Sequence, residues 1–264
     1  MQAKPQNTNP SDYKRSESRL NMNQKHQASL LPEDPSQWSA PEKCEPTAAQ
    51  HQPVDARGAR WNNRVLQPLD LRQANLCRMD IRGTDLSACL LEGCNLTLAR
   101  YDKKTRVPAG FDLEKSGAVG PGAALNGAFL NGADLRGMDL RNTNFMGAYL
   151  SGCDLSGAVL DGTRFVGADL RFAKLQGCRC IATRFTGSQL QQADFRAADL
   201  TEAILDGAES IQGADFSQVT GMDKKQLANL LTRSHIELDC WNPLTRQATR
   251  ATLESLLESA TRTA

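Results

Sequence analysis

The sequence predicts an all-β solenoid with four walls. From position 125 to position 205 every fifth residue is Leu or Phe, except at Cys180. A small residue usually stands two positions before each centre, and Gly often stands two positions after it. The pattern Thr-x-Phe-x-Gly also returns at 143–147, 163–167 and 183–187, each time 20 residues later. A period of five fits neither a helix nor a long strand, so it predicts short extended segments joined by regular turns.

Each five-residue unit predicts one wall. The small residue and the centre lie two apart, so both point inward from an extended triplet, and the residue between them points outward. The next two residues turn the corner, where Gly tolerates a positive φ. Because the pattern returns after 20 residues, four units complete one circuit, and we expect Phe145, Phe165 and Phe185 to stack. The period starts near Trp61 and slips by one residue after Leu205, which predicts about seven rungs.

The units resemble those of a known repeat family. ADLRG (133–137), CDLSG (153–157) and ADLTE (198–202) are similar to units of the pentapeptide-repeat family, over about residues 59–216. The resemblance implies a right-handed quadrilateral β-helix. Two segments are similar to cyanobacterial and chloroplast members in particular. These are the TRVPAGFD core of an interrupting loop at 102–124 and the stretch NPLTRQATRATL at 242–253.

The two flanks of the repeat differ in composition from it. Residues 1–58 hold seven of the 11 prolines and few apolar residues, which predicts a disordered tail. Residues 217–264 contain Asp223 followed by Gln226, a capping-box spacing, and leucines at helical intervals. They predict a short helical cap over the last rung, or an interface with a partner. The chain is therefore expected to be a monomer, or a homodimer through its C-terminal helices.

Charge and hydropathy narrow the function classes. The 31 basic and 30 acidic side chains nearly cancel, which argues against a general affinity for nucleic acid. No apolar run approaches the roughly 20 residues that span a bilayer, so membrane insertion is not expected. The first 25 residues lack the apolar region of a signal peptide. We expect a cytoplasmic protein; a thylakoid-associated one is the alternative, since some relatives lie in the thylakoid lumen.

No residue pattern predicts chemistry. Of the eight cysteines, only Cys178 and Cys180 form a close pair, and the cysteines of the repeat mostly take the small inward position. A free cysteine there behaves as a small buried hydrophobe. We predict no catalytic, cofactor-binding or metal-binding residues and no cofactor. An enzyme that uses Cys178 or Cys180 is the weakest alternative.

The outward positions predict a partner-binding surface. Stepping by 20 places Phe129 below Tyr149, and Arg164 below Arg184, with Met146 and Val166 beside the arginines. Exposed apolar clusters and stacked like charges are often contact sites, and aromatic rings and guanidinium groups are favoured anchors. The alternative is that Asp169 on the next wall neutralises Arg164, while the aromatic rings only pack across rungs.

These observations favour a non-enzymatic scaffold or regulator that binds another protein. The family resemblance offers a second function, a DNA mimic that regulates a DNA-binding enzyme such as gyrase. Mimicry needs a strongly negative surface, whereas residues 59–216 hold 18 basic and 18 acidic side chains. A structural component of a photosynthetic complex is a third reading, which the sequence does not separate from the first.

Overall fold

The computed structural model describes residues 54–262, which form a four-walled β-helix followed by helices. The outward residue of each unit makes a parallel bridge to the residue one circuit later, as in the column Asn144, Arg164 and Arg184. Within residues 54–262 these bridges are isolated rather than part of longer strands. Each wall contributes one paired residue because the chain turns again two residues after every centre.

The interior consists of stacked columns of Leu, Phe and small residues. The ring centroids of Phe145 and Phe165 lie 5.2 Å apart and those of Phe165 and Phe185 lie 5.5 Å apart, which confirms the predicted stack. A column of buried threonines runs beside the rings. The hydroxyl of Thr163 donates to the carbonyl of Leu140 at 2.8 Å, so a polar side chain is satisfied inside the column.

The corners require the left-handed backbone region. Gly147 has φ 63°, and nothing lies within 4 Å of the position that its Cβ would occupy. Other corners hold residues with a side chain, such as Asn142 at φ 58° and Phe172 at φ 60°. A side chain at such a φ carries strain, so these corners are held by the pairing on either side.

The register changes where the sequence departs from its period. Gln189 pairs with Ser210, 21 residues later, which confirms the predicted slip after Leu205. In the predicted interrupting loop, Arg106 pairs with Asp85 and Val119 pairs with Arg100. Parts of the 102–124 segment therefore belong to the ladder, since a Thr-Arg-Val unit begins there at Thr105.

The ladder also extends beyond the predicted bounds of 59 and 216. Asp55 pairs with Asn75 at one end, and Asp199 pairs with Thr220 at the other. Residues 55–58 thus lie in the first coil because their backbone pairs with the next one. The rest of the predicted tail, residues 1–53, lies outside the described residues.

Three helices follow the coils: α1 at Lys224–Leu231, α2 at His235–Leu238 and α3 at Thr249–Arg262. Helix α1 begins with the predicted capping box, in which Asp223 and Gln226 bond reciprocally. The segment between α2 and α3 contains one antiparallel bridge, from Trp241 to Ala248.

Candidate partner-binding surface

The aromatic pair lies on one wall of the β-helix. Phe129 and Tyr149 are bridged neighbours in consecutive coils, and their rings stack at 4.8 Å with an angle of 2° between their planes. Their side chains stay accessible: Phe129 is 74% exposed and Tyr149 is 45% exposed. The stack therefore presents apolar area to solvent in a fixed orientation.

The arginine column lies on the adjoining wall. Arg164 bridges to Arg184, so two guanidinium side chains leave neighbouring coils from the same column. In the part of the chain that the structure describes, neither side chain makes a hydrogen bond or an ion pair. The alternative that Asp169 neutralises Arg164 is wrong, because Asp169 binds Arg171 at 2.7 Å instead.

The corner between these two walls carries Met146 and Val166. Met146 is 46% exposed, whereas Val166 is half-buried and contributes less surface than its outward position predicts. The six predicted residues thus lie along two adjacent walls and the corner that joins them.

Two exposed residues near this surface were missed from the sequence. Ile204 is 43% exposed and bridges to Arg184, so it continues the arginine column. A further step of 20 from Arg184 would have found it. Phe172 is exposed at a corner usually occupied by Gly, and its departure from that pattern was the available signal.

Most aspartates of the walls are neutralised locally. In seven units an outward Asp receives a bidentate guanidinium from the Arg two residues later: Asp55–Arg57, Asp70–Arg72, Asp80–Arg82, Asp134–Arg136, Asp139–Arg141, Asp169–Arg171 and Asp194–Arg196. These hydrogen bonds hold the pKa of Asp139 and Asp169 below the usual range. Against this compensated background, Arg164 and Arg184 are among the arginines whose side chains have no ionic partner in residues 54–262.

Three inward cysteines, Cys153, Cys178 and Cys180, offer no accessible nucleophile. All three are buried, and the thiol of Cys178 donates to the carbonyl of Leu155, as the column threonines do. Burial raises the pKa of the Cys153 thiol to about 12. The hydrogen bond with Cys178, followed by burial, raises the pKa of the Cys180 thiol. A thiol with a raised pKa and no access to solvent is a poor nucleophile.

Two further features bear on the function classes. Among residues 54–262, no group of three or more His, Cys, Asp and Glu side chains is placed to hold a metal ion. None of the helices in that stretch is both long and apolar enough to traverse a bilayer.

Together, a column of five-residue units and an outer surface with ordered anchors define a pentapeptide β-solenoid. The chain belongs to the pentapeptide-repeat family, whose members fold as right-handed β-helices. The sequence model of the family, described as pentapeptide repeats, matches eight copies at residues 69–97, 122–157, 143–179 and 178–220.

Several solved structures are similar to this chain. One is a pentapeptide repeat protein of the Arabidopsis thaliana thylakoid lumen, 27% identical over 51% of this chain and 90% of that one, with a TM-score of 0.38. Another is HetL of the cyanobacterium Nostoc, involved in regulating heterocyst differentiation, 26% identical over 64% and 77%, with a TM-score of 0.26. QnrB1, a plasmid-mediated fluoroquinolone resistance protein, is 24% identical over 67% and 90%, with a TM-score of 0.37. No curated protein sequence gives a significant match.

Proposed function

We propose that the chain is a non-enzymatic scaffold or regulator that recognises a protein partner through the outer faces of its β-helix. The observation that carries the proposal is the exposed stack of Phe129 on Tyr149 beside the unpaired column of Arg164 and Arg184. Aromatic rings and guanidinium groups are the side chains most often found as binding hot spots. The surface includes Met146 and Val166 at the corner between the two walls.

The bridged backbone of the β-helix lowers the entropic cost of binding at this surface. The stacked rings are held by bridged backbones and need little ordering when a partner arrives. The two arginines repel one another across the ladder, since like charges directly opposite are destabilising. A carboxylate of the partner placed between them would remove that repulsion and form charge-assisted hydrogen bonds.

The test is capture from native lysate with tagged protein, in which a double variant, Tyr149→Ala with Arg184→Glu, is compared with the unchanged chain. We expect one stoichiometric partner that is retained by the unchanged chain and lost by the double variant. Ile236→Ala with Arg64→Glu is the matched control, because it changes an exposed apolar residue and an exposed arginine elsewhere. Thermal unfolding shows whether each variant is folded. Equal capture by the double variant would refute the proposal.

The DNA-mimic function is less favoured by the charges. The outward aspartates that would stand in for phosphates are largely bonded to arginines two residues later, and residues 59–216 have no net charge. A gyrase supercoiling assay with the purified chain tests this alternative, and protection of gyrase would favour it over the scaffold. A structural role in a photosynthetic complex stays a variant of the scaffold function, in which the partner is a subunit of that complex.

The C-terminal segment, residues 217–264, is proposed to cap the last coil. Thr252 of α3 accepts a hydrogen bond from the backbone N–H of Phe216, and Gln226 of α1 donates to the carbonyl of Ala203. Such bonds occupy backbone groups that a further coil would otherwise pair. The division into a tail, a repeat of about seven rungs and this cap is part of the proposal, with the ends of the repeat moved from 59 and 216 to Asp55 and Thr220. We also propose that the protein is cytoplasmic, that it is a monomer or a homodimer, and that it does not bind nucleic acid.

A further inference from the structure

A groove of about 520 Å³ runs along the early coils, away from the arginine column. One side is the corner and wall that carry Arg60, Arg78 and Arg100, and the other is the segment 129–135 of a later coil. Arg100 joins the two sides, because its guanidinium donates to the backbone carbonyl of Asp134 at 2.7 Å. This bond holds the width of the groove at one point.

The charges that line the groove are unbalanced. The side chains of Arg60 and Arg78 are exposed, and within residues 54–262 neither makes a hydrogen bond or an ion pair. The groove also contains two carboxylates, but each is occupied by its own arginine. Asp80 accepts from Arg82 at 2.8 Å, and Asp134 accepts from Arg136 at 2.8 Å. The groove therefore presents free positive charge and no free negative charge.

The rim of the groove adds an apolar contact. Phe129 lines the groove and also stacks on Tyr149, so one ring belongs both to the groove and to the partner-binding surface. Asn131 lies along the same side, and its Oδ1 accepts a hydrogen bond from the backbone N–H of Ser151. The volume lies within the range of about 300–1,000 Å³ that is typical of ligand sites. It suits a short run of residues better than a single small anion.

We propose that this groove binds an acidic peptide segment of the partner protein, with carboxylates on Arg60 and Arg78 and an apolar side chain against Phe129. The proposal rests on the proposed function, since it names the chemistry of the partner recognised there. Guanidinium groups form bidentate, charge-assisted bonds with carboxylates, which favours Asp and Glu as the recognised residues. A nucleic acid is less favoured, because residues 59–216 as a whole carry as many acidic as basic side chains.

The test uses the full chain and a fluorescein-labelled peptide of four glutamates and one leucine, followed by fluorescence anisotropy at two salt concentrations. We expect saturable binding that weakens with salt. The double variant Arg60→Gln with Arg78→Gln is expected to bind at least about tenfold more weakly, the loss of roughly one charge-assisted hydrogen bond. Arg64→Gln is the matched control, because Arg64 is also exposed but does not line the groove. It is expected to bind as the unchanged chain does.

Three outcomes would overturn the proposal: equal weakening by Arg64→Gln, no binding of the acidic peptide, or tighter binding of a single-stranded oligonucleotide. Four of the six acidic residues upstream of the coils provide another occupant within this chain, namely Glu33, Asp34, Glu42 and Glu45. If the peptide binds only after these four are changed to Gln or Asn, the chain's own segment fills the groove and the external partner is excluded.

The proposed function is tested separately from the groove. Arg184→Glu alone leaves Arg60, Arg78 and the stack of Phe129 on Tyr149 unchanged, so it is expected to retain binding of the peptide. If the peptide fails to bind while capture of the partner still depends on Tyr149 and Arg184, only the groove proposal is lost.

Discussion

The coils before the interruption and those after it follow one hydrophobic period, but they differ in which residues occupy their corners. Between residues 127 and 187 most corners are glycines, whereas four early corners hold Asn63, Gln73, Arg78 and Leu98 at positive φ. Side chains return at the corners of the last coils, at Gln192, Ala197 and Glu202. The late coils also contain the stacked phenylalanines, which the early coils lack. The apolar period alone therefore specifies the fold, while the corners and the stack set how stable each part is.

This difference predicts a gradient of stability that rises from the early coils to the coils at 127–187. In a solenoid each coil contacts only its neighbours, so local strain is not shared by the whole molecule. The early coils carry four of the strained corners and also the unpaired arginines of the groove, Arg60 and Arg78. The binding groove that we propose thus lies in the part expected to open more easily.

The largest expected effect is at the centre of the phenylalanine stack. Phe165→Ala removes a fully buried ring that contacts Phe145 and Phe185, and is expected to lower the free energy of unfolding by about 4 kcal/mol. Leu86→Ala, at the matching wall of an early coil, is expected to cost about 3 kcal/mol. Chemical denaturation measures both. A larger loss for Leu86→Ala would contradict the proposed gradient.

The phenylalanine stack was predictable because residues 20 apart repeat without a break through residues 145–185. The pairing of Arg106 with Asp85 was not, since the spacings of 21 and 19 residues around it hide the Thr-Arg-Val unit. The Asp-x-Arg ion pairs could have been predicted from the sequence. The two residues of a pair stand on either side of one inward centre, so both side chains point outward from the same wall. The groove depends on how segment 129–135 lies against earlier coils, which no local pattern encodes.

A smaller effect is expected from a hydrogen bond present in both regions. The hydroxyls of Thr84 and Thr163 are buried and donate to the carbonyls of Trp61 and Leu140. Val has nearly the same shape, so Thr→Val at either site leaves a buried carbonyl without this donor and is expected to cost about 1–2 kcal/mol.

The exposed Thr186 is the control for this pair, and Thr186→Val is expected to change the free energy of unfolding little. Equal losses in the free energy of unfolding at Thr84 and Thr163 would mean that the buried threonine hydrogen bonds stabilise the coils equally on both sides of the interruption. A loss of stability confined to Thr163→Val would show that the early coils are packed too loosely for the threonine hydrogen bond to stabilise them.

The corners themselves provide the next test. Gly147→Ala places a side chain at φ 63° without any steric contact, so the expected loss of about 1 kcal/mol reports the backbone conformation alone. Gln73→Gly in an early coil is expected to do the reverse and raise stability by up to about 0.5 kcal/mol, after the entropy of Gly in the unfolded chain is subtracted. Thermal unfolding of both variants is the measurement. A stabilising Gly147→Ala would show that corner strain does not explain the gradient.

The smallest expected effect concerns the Asp-x-Arg pairs and depends on pH. The hydrogen bonds from Arg141 hold the pKa of Asp139 below its unfolded value of about 3.9, so the pair stabilises the folded state fully above that pH. Its contribution is lost as the pH falls from about 4 through the folded pKa, because protonation removes the charge that Arg141 binds. Asp139→Asn is therefore expected to cost less than about 1 kcal/mol at pH 7 and nearly nothing at pH 2.5, in urea denaturation. Arg141→Gln is the control, because it breaks the same pair from the other side and should give the same pH profile. If either variant lost as much free energy of unfolding at pH 2.5 as at pH 7, the pair would stabilise the wall through side-chain packing and not through charge.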